Sequence, residues 1–318
     1  MTERSQPTRP RRSSTDPATA YAKAVASGKK IAGPHVRDAC QRHLEDLKTG
    51  AERGLVFDRT AAERAIEFFR VVLRLNGGEF EGQPFELLDW QQFIVGCLFG
   101  WKGSDGWRRF RVAYIETAKG SGKSPLAAGI GMYGLVADGE PRAEVYAAAT
   151  KKDQAMVLFR DAVAMWQQSP ALHARLKSSG TGENVWNLAY LEKGSFFRPI
   201  SADDGQSGPR PHMSLIDEVH EHRNNTVIEM QRAGTKSRRQ ALILMITNSG
   251  ANKTGPGWQY HDYAAKVCSG MLKDDAFFGY VCALDEGDDP FRNEKGWAKS
   301  NPSLQGANLP GIKYLREQ

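Results

Sequence analysis

The stretch Glu116-Thr-Ala-Lys-Gly-Ser-Gly-Lys-Ser124 constrains the fold more than any other part of this chain. It is a small-residue turn carrying lysines, set between two apolar runs, Arg111-Val-Ala-Tyr-Ile-Glu-Thr117 and Pro125-Leu-Ala-Ala-Gly-Ile-Gly-Met-Tyr-Gly-Leu135. The first run reads as a buried strand. The second reads as a helix whose proline falls in the first turn, where a missing N–H costs nothing. Such a junction lets successive backbone N–H groups converge on an anion. It predicts a phosphate-binding loop in which Lys119, Gly120, Ser121 and Gly122 surround ATP. Lys123 would reach the β- and γ-phosphates, and the Ser124 hydroxyl would ligate Mg²⁺. The usual pattern opens with glycine five residues before Gly122, where this chain has Thr117. An ordinary Gly/Ser turn carrying a lysine is the plainer alternative.

A second signature lies downstream. Ala143–Ala149 reads as a strand, 153–168 as a helix with apolar residues at Ala155, Met156, Phe159, Val163 and Trp166, and 196–200 as a short strand. Then Met213-Ser-Leu-Ile-Asp-Glu-Val219 closes a hydrophobic strand with adjacent acids. Phosphoryl transfer to water needs a metal-holding carboxylate and a base near the γ-phosphate, roles that suit Asp217 and Glu218. Ala241–Ser249 is the next buried strand. Its polar end, with Thr247 and Asn248 the candidates, could sense the γ-phosphate or simply cap the strand. His212, His220 and His222 crowd the acid pair without the spacing of a helical metal site, and read as surface or supporting histidines. Upstream, Trp90-Gln91 suggests an adenine clamp, with Gln91 on the base edge and Trp90 or Phe93 supplying a face. Packing within a helix explains the same residues equally well.

The alternation of strands and helices gives an α/β fold with a mostly parallel sheet. Residues 1–20 are basic, Pro/Ser-rich and poor in large apolar residues, which predicts a disordered tail. Residues 21–80 carry helical periodicity and read as a helical N-terminal subdomain, 81–255 as the nucleotide-binding core, and 256–318 as a lid or linker. The longest apolar run, residues 93–101, is too short to span a bilayer. The four cysteines, Cys40, Cys97, Cys268 and Cys282, lack CxxC spacing and read as buried, reduced thiols. A net charge of +6 suits a polyanionic partner.

Four segments in order resemble the large terminase subunit of tailed bacteriophages. They are Trp90-Gln91, the 119–124 loop, the stretch from Asp203 through Asp217-Glu-Val-His-Glu-His222, and Ile246-Thr-Asn-Ser-Gly250. Trp297-Ala-Lys-Ser-Asn-Pro-Ser303 resembles the region that follows the ATPase core in one branch of that family. The resemblance implies a RecA-like P-loop ATPase that drives double-stranded DNA into a capsid. It also implies a homo-oligomeric ring at the portal protein, a small terminase subunit that selects DNA, and work in the bacterial host's cytoplasm. Asp217 matches the family's metal-binding acid, Glu218 its catalytic acid, and Thr247–Ser249 its coupling motif. Lys119 stands where the family commonly has arginine. Arg210 is the candidate for a charge given to a neighbour's ATP, with Arg223, Arg232, Arg238 and Arg239 competing. Lys236, Arg238 and Arg239 are candidate contacts to DNA phosphates. The family's nuclease is expected to be absent, because Asp285, Glu286, Asp288 and Asp289 read as a solvated loop. A helicase-like ATPase or AAA-type remodeller, and a remnant that binds nucleotide or portal without turnover, remain the rival readings.

Overall fold

The computed structural model describes residues 15–201 and 208–317. Residues 1–14 of the expected tail and 203–207 of the glycine-rich loop lie outside them. Helices α1 (Pro17–Ala26), α2 (Pro34–Thr49), α3 (Arg59–Val72) and α4 (Asp89–Gly100) come first. Proline in the first turn starts α1 and α2, while the side chains of Asp16 and Asp58 accept backbone N–H bonds at the starts of α1 and α3. A small antiparallel pair, β1 (Val56–Phe57) with β2 (Trp101–Lys102), ties α3 to the end of α4.

The main sheet contains β3 (Val112–Glu116), β4 (Glu144–Ala149), β5 (Lys177–Ser179), β6 (Asn187–Tyr190), β7 (Ser195–Ser201), β8 (Met213–Ile216), β9 (Leu242–Thr247) and β10 (Phe277–Val281). Across the sheet these run β10-β3-β9-β8-β4-β7-β6-β5. Pairing is parallel from β10 to β7 and antiparallel at the β6 and β5 edge. Helices α5 (Lys123–Val136), α6 (Lys152–Gln168), α7 (Pro170–His173), α8 (Thr226–Gly234), α9 (Pro256–Cys268), α10 (Trp297–Ser300) and α11 (Ile312–Glu317) complete the chain.

Both faces of the sheet are covered, which is why β9 reads as an unbroken apolar run. Leu242, Leu244 and Ile246 enter one hydrophobic cluster, and Ile243 and Met245 enter the other. This is the period-2 alternation of a strand buried on both sides. Helix α5 lies close on the first face: a Cβ at Gly131 would stand 2.7 Å from Leu215 Cδ1 and 2.8 Å from Phe197 Cε1. One strand, β9, separates the strand that feeds the lysine-bearing loop from the strand that carries the acid pair. The architecture is that of a RecA-like P-loop fold.

Two boundaries differ from those expected. The first helices share the sheet's core cluster, and the Tyr21 hydroxyl bonds the Tyr280 hydroxyl of β10 at 2.9 Å. Helix α1 also begins at Pro17, inside the stretch expected as tail. Downstream, the 256–318 stretch supplies an edge strand as well as a connection: all five residues of β10 are buried beside β3. Apolar area removed from water accounts for both differences. All four cysteines are free and buried.

Candidate functional site

The parallel strands deliver their C-terminal ends to one edge, the place where open α/β sheets bind ligands. Strand β3 ends there and turns into α5 through residues 117–122. Gly120 (φ +82°) and Gly122 (φ +86°) adopt the left-handed conformation that lets the loop double back. Thr117, standing where glycine is usual, joins its hydroxyl to that of Ser121 across the neck of the loop. Lys123 is 7% exposed, and its Nζ donates to the carbonyls of Thr117 and Ala118, each at 3.1 Å, and to Asn248 Oδ1. Burial lowers the pKa of this ammonium, against the pull of Glu218 and Asp217.

The acid pair follows β8 directly. Ser124 Oγ donates to Asp217 Oδ2 at 3.4 Å across 93 residues of sequence, and the Glu218 N–H donates to Asp217 Oδ1 at 2.8 Å. Burial, followed by the charge of Glu218, pushes the Asp217 carboxyl up to about 6. A hydroxyl and a buried carboxylate form an all-oxygen donor set, and the raised pKa marks an anion short of positive charge. Both features suit a hard cation such as Mg²⁺. Glu218 holds φ +49° and ψ +48°, a costly conformation for a residue with a Cβ. Its Oε2 lies 3.3 Å from Asn248 Nδ2 and 3.2 Å from His220 Nδ1. The Thr247 hydroxyl accepts the His220 N–H at 3.0 Å and donates to the Asn248 carbonyl at 2.9 Å. Thus Lys123, Ser124, Asp217, Glu218, Thr247 and Asn248 converge at one sheet edge.

His220 adjoins this group in the supporting place the sequence allowed it, with its backbone N–H and ring Nδ1 both against the Thr247 hydroxyl. His222 is also drawn in, its Nε2 lying 3.2 Å from the Asp217 carbonyl. His212 is neither surface nor supporting. It is 0% exposed at the opposite end of β8, bonded to Asp138 at 2.6 Å. Also unforeseen is Glu116, 3% exposed at the end of β3. It accepts from the Tyr114 hydroxyl at 2.7 Å and from His261 Nδ1 at 3.0 Å, a bond that raises the His261 pKa.

Other expected residues lie elsewhere or act differently. Trp90 and Phe93 are 2% and 0% exposed, so neither offers an open ring face, and core packing replaces the aromatic half of the clamp. Gln91 accepts the Leu88 N–H through Oε1 at 2.9 Å. Its Nε2 lies 3.6 Å from where a Cβ on Gly122 would stand. Lys119 and Ser249 are exposed at the rim. Arg210 precedes β8 and is therefore a strand's length away on the opposite edge, with its side chain exposed and its N–H on Glu144 at 2.8 Å. Arg238 is paired with Glu140 and Glu144 and bonds the Arg210 carbonyl, which removes it from the candidates for DNA contact or catalysis. Arg223, Arg232, Lys236 and Arg239 stay exposed. In the acidic loop, Asp285 pairs with Arg37 and Lys299, and Asp288 with Lys299. Among the described residues no group of three or more His, Cys, Asp or Glu side chains is arranged to hold a metal, the acidic loop included.

Comparison with known proteins agrees with this geometry. Residues 89–266 match the family described as the terminase large subunit, ATPase domain. Protein YmfN of Escherichia coli (strain K12) is 32% identical over 150 residues, covering 46% of this chain and 31% of that protein. The crystal structure of the HK97 bacteriophage large terminase superposes with a TM-score of 0.67 at 22% identity, over 80% of this chain and 50% of the other. The chain therefore corresponds to about half or less of these relatives' length. Since the match spans the loop, the acid pair and the strand between them, the chain belongs to the terminase large subunit family, of which it carries the ATPase domain.

Proposed function

We propose that this chain hydrolyses ATP to translocate double-stranded viral DNA into a capsid. The observation that carries the reading is the meeting of Ser124 with Asp217, beside Lys123 and Glu218, at the C-terminal edge of a parallel sheet. ATP binds with its phosphates on residues 119–124, and Lys123 exchanges its loop carbonyls for phosphate oxygens. Ser124 and Asp217 would hold Mg²⁺, which neutralises charge on the β- and γ-phosphates when bound. Glu218 takes the proton of the attacking water, and its carboxylate is oriented by Asn248 and His220. Because Asn248 reaches both Lys123 and Glu218, departure of the γ-phosphate is felt at Thr247–Ser249 and passed to the chain beyond β9. Gln91, beside Gly122, is the remaining candidate for the adenine edge.

The working form is a homo-oligomeric ring at the portal protein in the cytoplasm of a bacterial host, with a small terminase subunit choosing the DNA. Arg210, exposed on the edge away from its own loop, supplies charge to a neighbour's ATP. Exposed Lys236 and Arg239 meet DNA phosphates. Steady-state ATP hydrolysis with and without double-stranded DNA tests the reading alongside Glu218→Gln. Turnover should need Mg²⁺, rise with DNA and fall at least a hundredfold in the variant, while ATP still binds. A variant as active as the parent would refute the assignment of the base.

A further inference from the structure

We propose that Ser303 is a positioning residue for the phosphate loop, acting from a strap formed by residues 297–310; the inference rests on the ATP-binding reading above. Ser303 is 0% exposed, and its hydroxyl links two partners. It donates to the Ser121 carbonyl at 2.8 Å and accepts the Trp90 indole N–H at 3.0 Å. A peptide unit is planar and trans, so its C=O and N–H point in opposite directions. Holding the Ser121 carbonyl toward Ser303 therefore aims the Gly122 N–H the other way, toward the hollow of the loop.

A second peptide is held in the same manner. The Ala118 N–H donates to the Ser300 carbonyl at 3.1 Å. The Thr117 carbonyl of that peptide unit faces away and receives Lys123 Nζ at 3.1 Å. The strap thus grips both the entry and the exit of the loop. Pro310 closes over the middle, its Cβ 3.2 Å from where a Cβ on Gly120 would stand. The strap is itself anchored: Lys299 bridges Asp285 and Asp288, Asp285 is shared with Arg37 of α2, and Gln305 bonds both polar groups of the Ile31 backbone.

Trp90, adjacent to the glutamine expected to read adenine, thereby takes a different part. It stacks on Tyr280 of β10 at 5.8 Å and presents its N–H to the hydroxyl that orients the loop. Ser303→Ala leaves both the indole N–H and the Ser121 carbonyl without this partner and frees that peptide to rotate. Loss of loop orientation weakens nucleotide binding, whereas the acids that carry the chemistry are untouched.

The test is calorimetric titration with ATP and Mg²⁺, well below the melting temperature of each variant. Ser303→Ala should raise Kd about tenfold while kcat at saturating ATP stays within about twofold. Trp90→Phe removes the N–H together with one ring of the buried indole, and serves if Ser303→Ala does not fold. It should raise Kd in the same direction, and the double variant should bind no more weakly than Ser303→Ala, because both act through one hydroxyl. A lowered melting temperature with unchanged Kd would show a structural role and overturn the inference alone. Absence of ATP binding by the parent chain would overturn the ATP reading, and this inference with it.

Discussion

Replacing Asp217 by Asn should stabilise the protein when no Mg²⁺ or nucleotide is present. The carboxyl is 5% exposed and sits beside Glu218, and burial together with that charge lifts its pKa to about 6. Against an ordinary aspartate near 3.9, the span corresponds to about 3 kcal/mol disfavouring the ionised folded form. Asparagine keeps an oxygen for the Glu218 N–H and can donate to Ser124, so most of that penalty disappears. With an unfolding entropy of about 2 cal/mol/K per residue, a chain of 318 residues gains about 5 °C for 3 kcal/mol. The sign with pH is fixed. A carboxyl whose folded pKa is raised costs stability above that pKa, and the cost vanishes below the unfolded value, where both states are protonated. The difference in melting temperature between Asp217→Asn and the parent should therefore be fully present at pH 7.5, shrink through about 6, and be gone near pH 3.5. Scanning calorimetry in EDTA across that range measures it. A variant no more stable than the parent at pH 7.5, or a gap that widens on acidification, would refute the electrostatic account of the site.

Glu116→Gln removes the partner that raises the His261 pKa, an interaction present in full below the ordinary histidine value and lost as pH rises through the folded one. The variant should lose about 1–3 kcal/mol at pH 6 and less at pH 9 by urea titration; equal losses at both would discard the ion pair as the cause. If Arg210 serves a neighbouring subunit, Arg210→Ala and Glu218→Gln chains, each inactive alone, should regain turnover on mixing. Failure to regain it would transfer the part to another exposed arginine.

Local chemistry was legible in the sequence wherever one short segment carried it. The loop, the acid pair, and the strands β3, β4, β7, β8 and β9 all stand out as apolar runs closed by functional residues. What stayed hidden was decided by partners distant in sequence. Phe277-Phe-Gly-Tyr-Val281 is a plain apolar run, and nothing local says that it inserts beside β3. The hairpin of β5 and β6 is too polar and short to show strand periodicity. Trp90 followed by Gln91 reads alike whether the ring faces a base or a tyrosine, because composition reports the need for apolar contact and not its direction. The same holds for Ser303, an ordinary serine until the chain brings it against Ser121.

The position of β3 between β9 and β10 also bears on synthesis of the chain. Val112 pairs with Ile243 on one side and with Phe277 on the other, so its far neighbour lies 165 residues downstream. Pairings of such long range carry a large loop-closure entropy and slow the folding of the sheet. A ribosome that has not passed Val281 has made the lysine-bearing loop without the strand that flanks its stem. Until then Val112–Glu116 is an open sheet edge, the kind that recruits stray strands. Completion of the nucleotide site is thereby coupled to synthesis of a segment well beyond the motifs that define it.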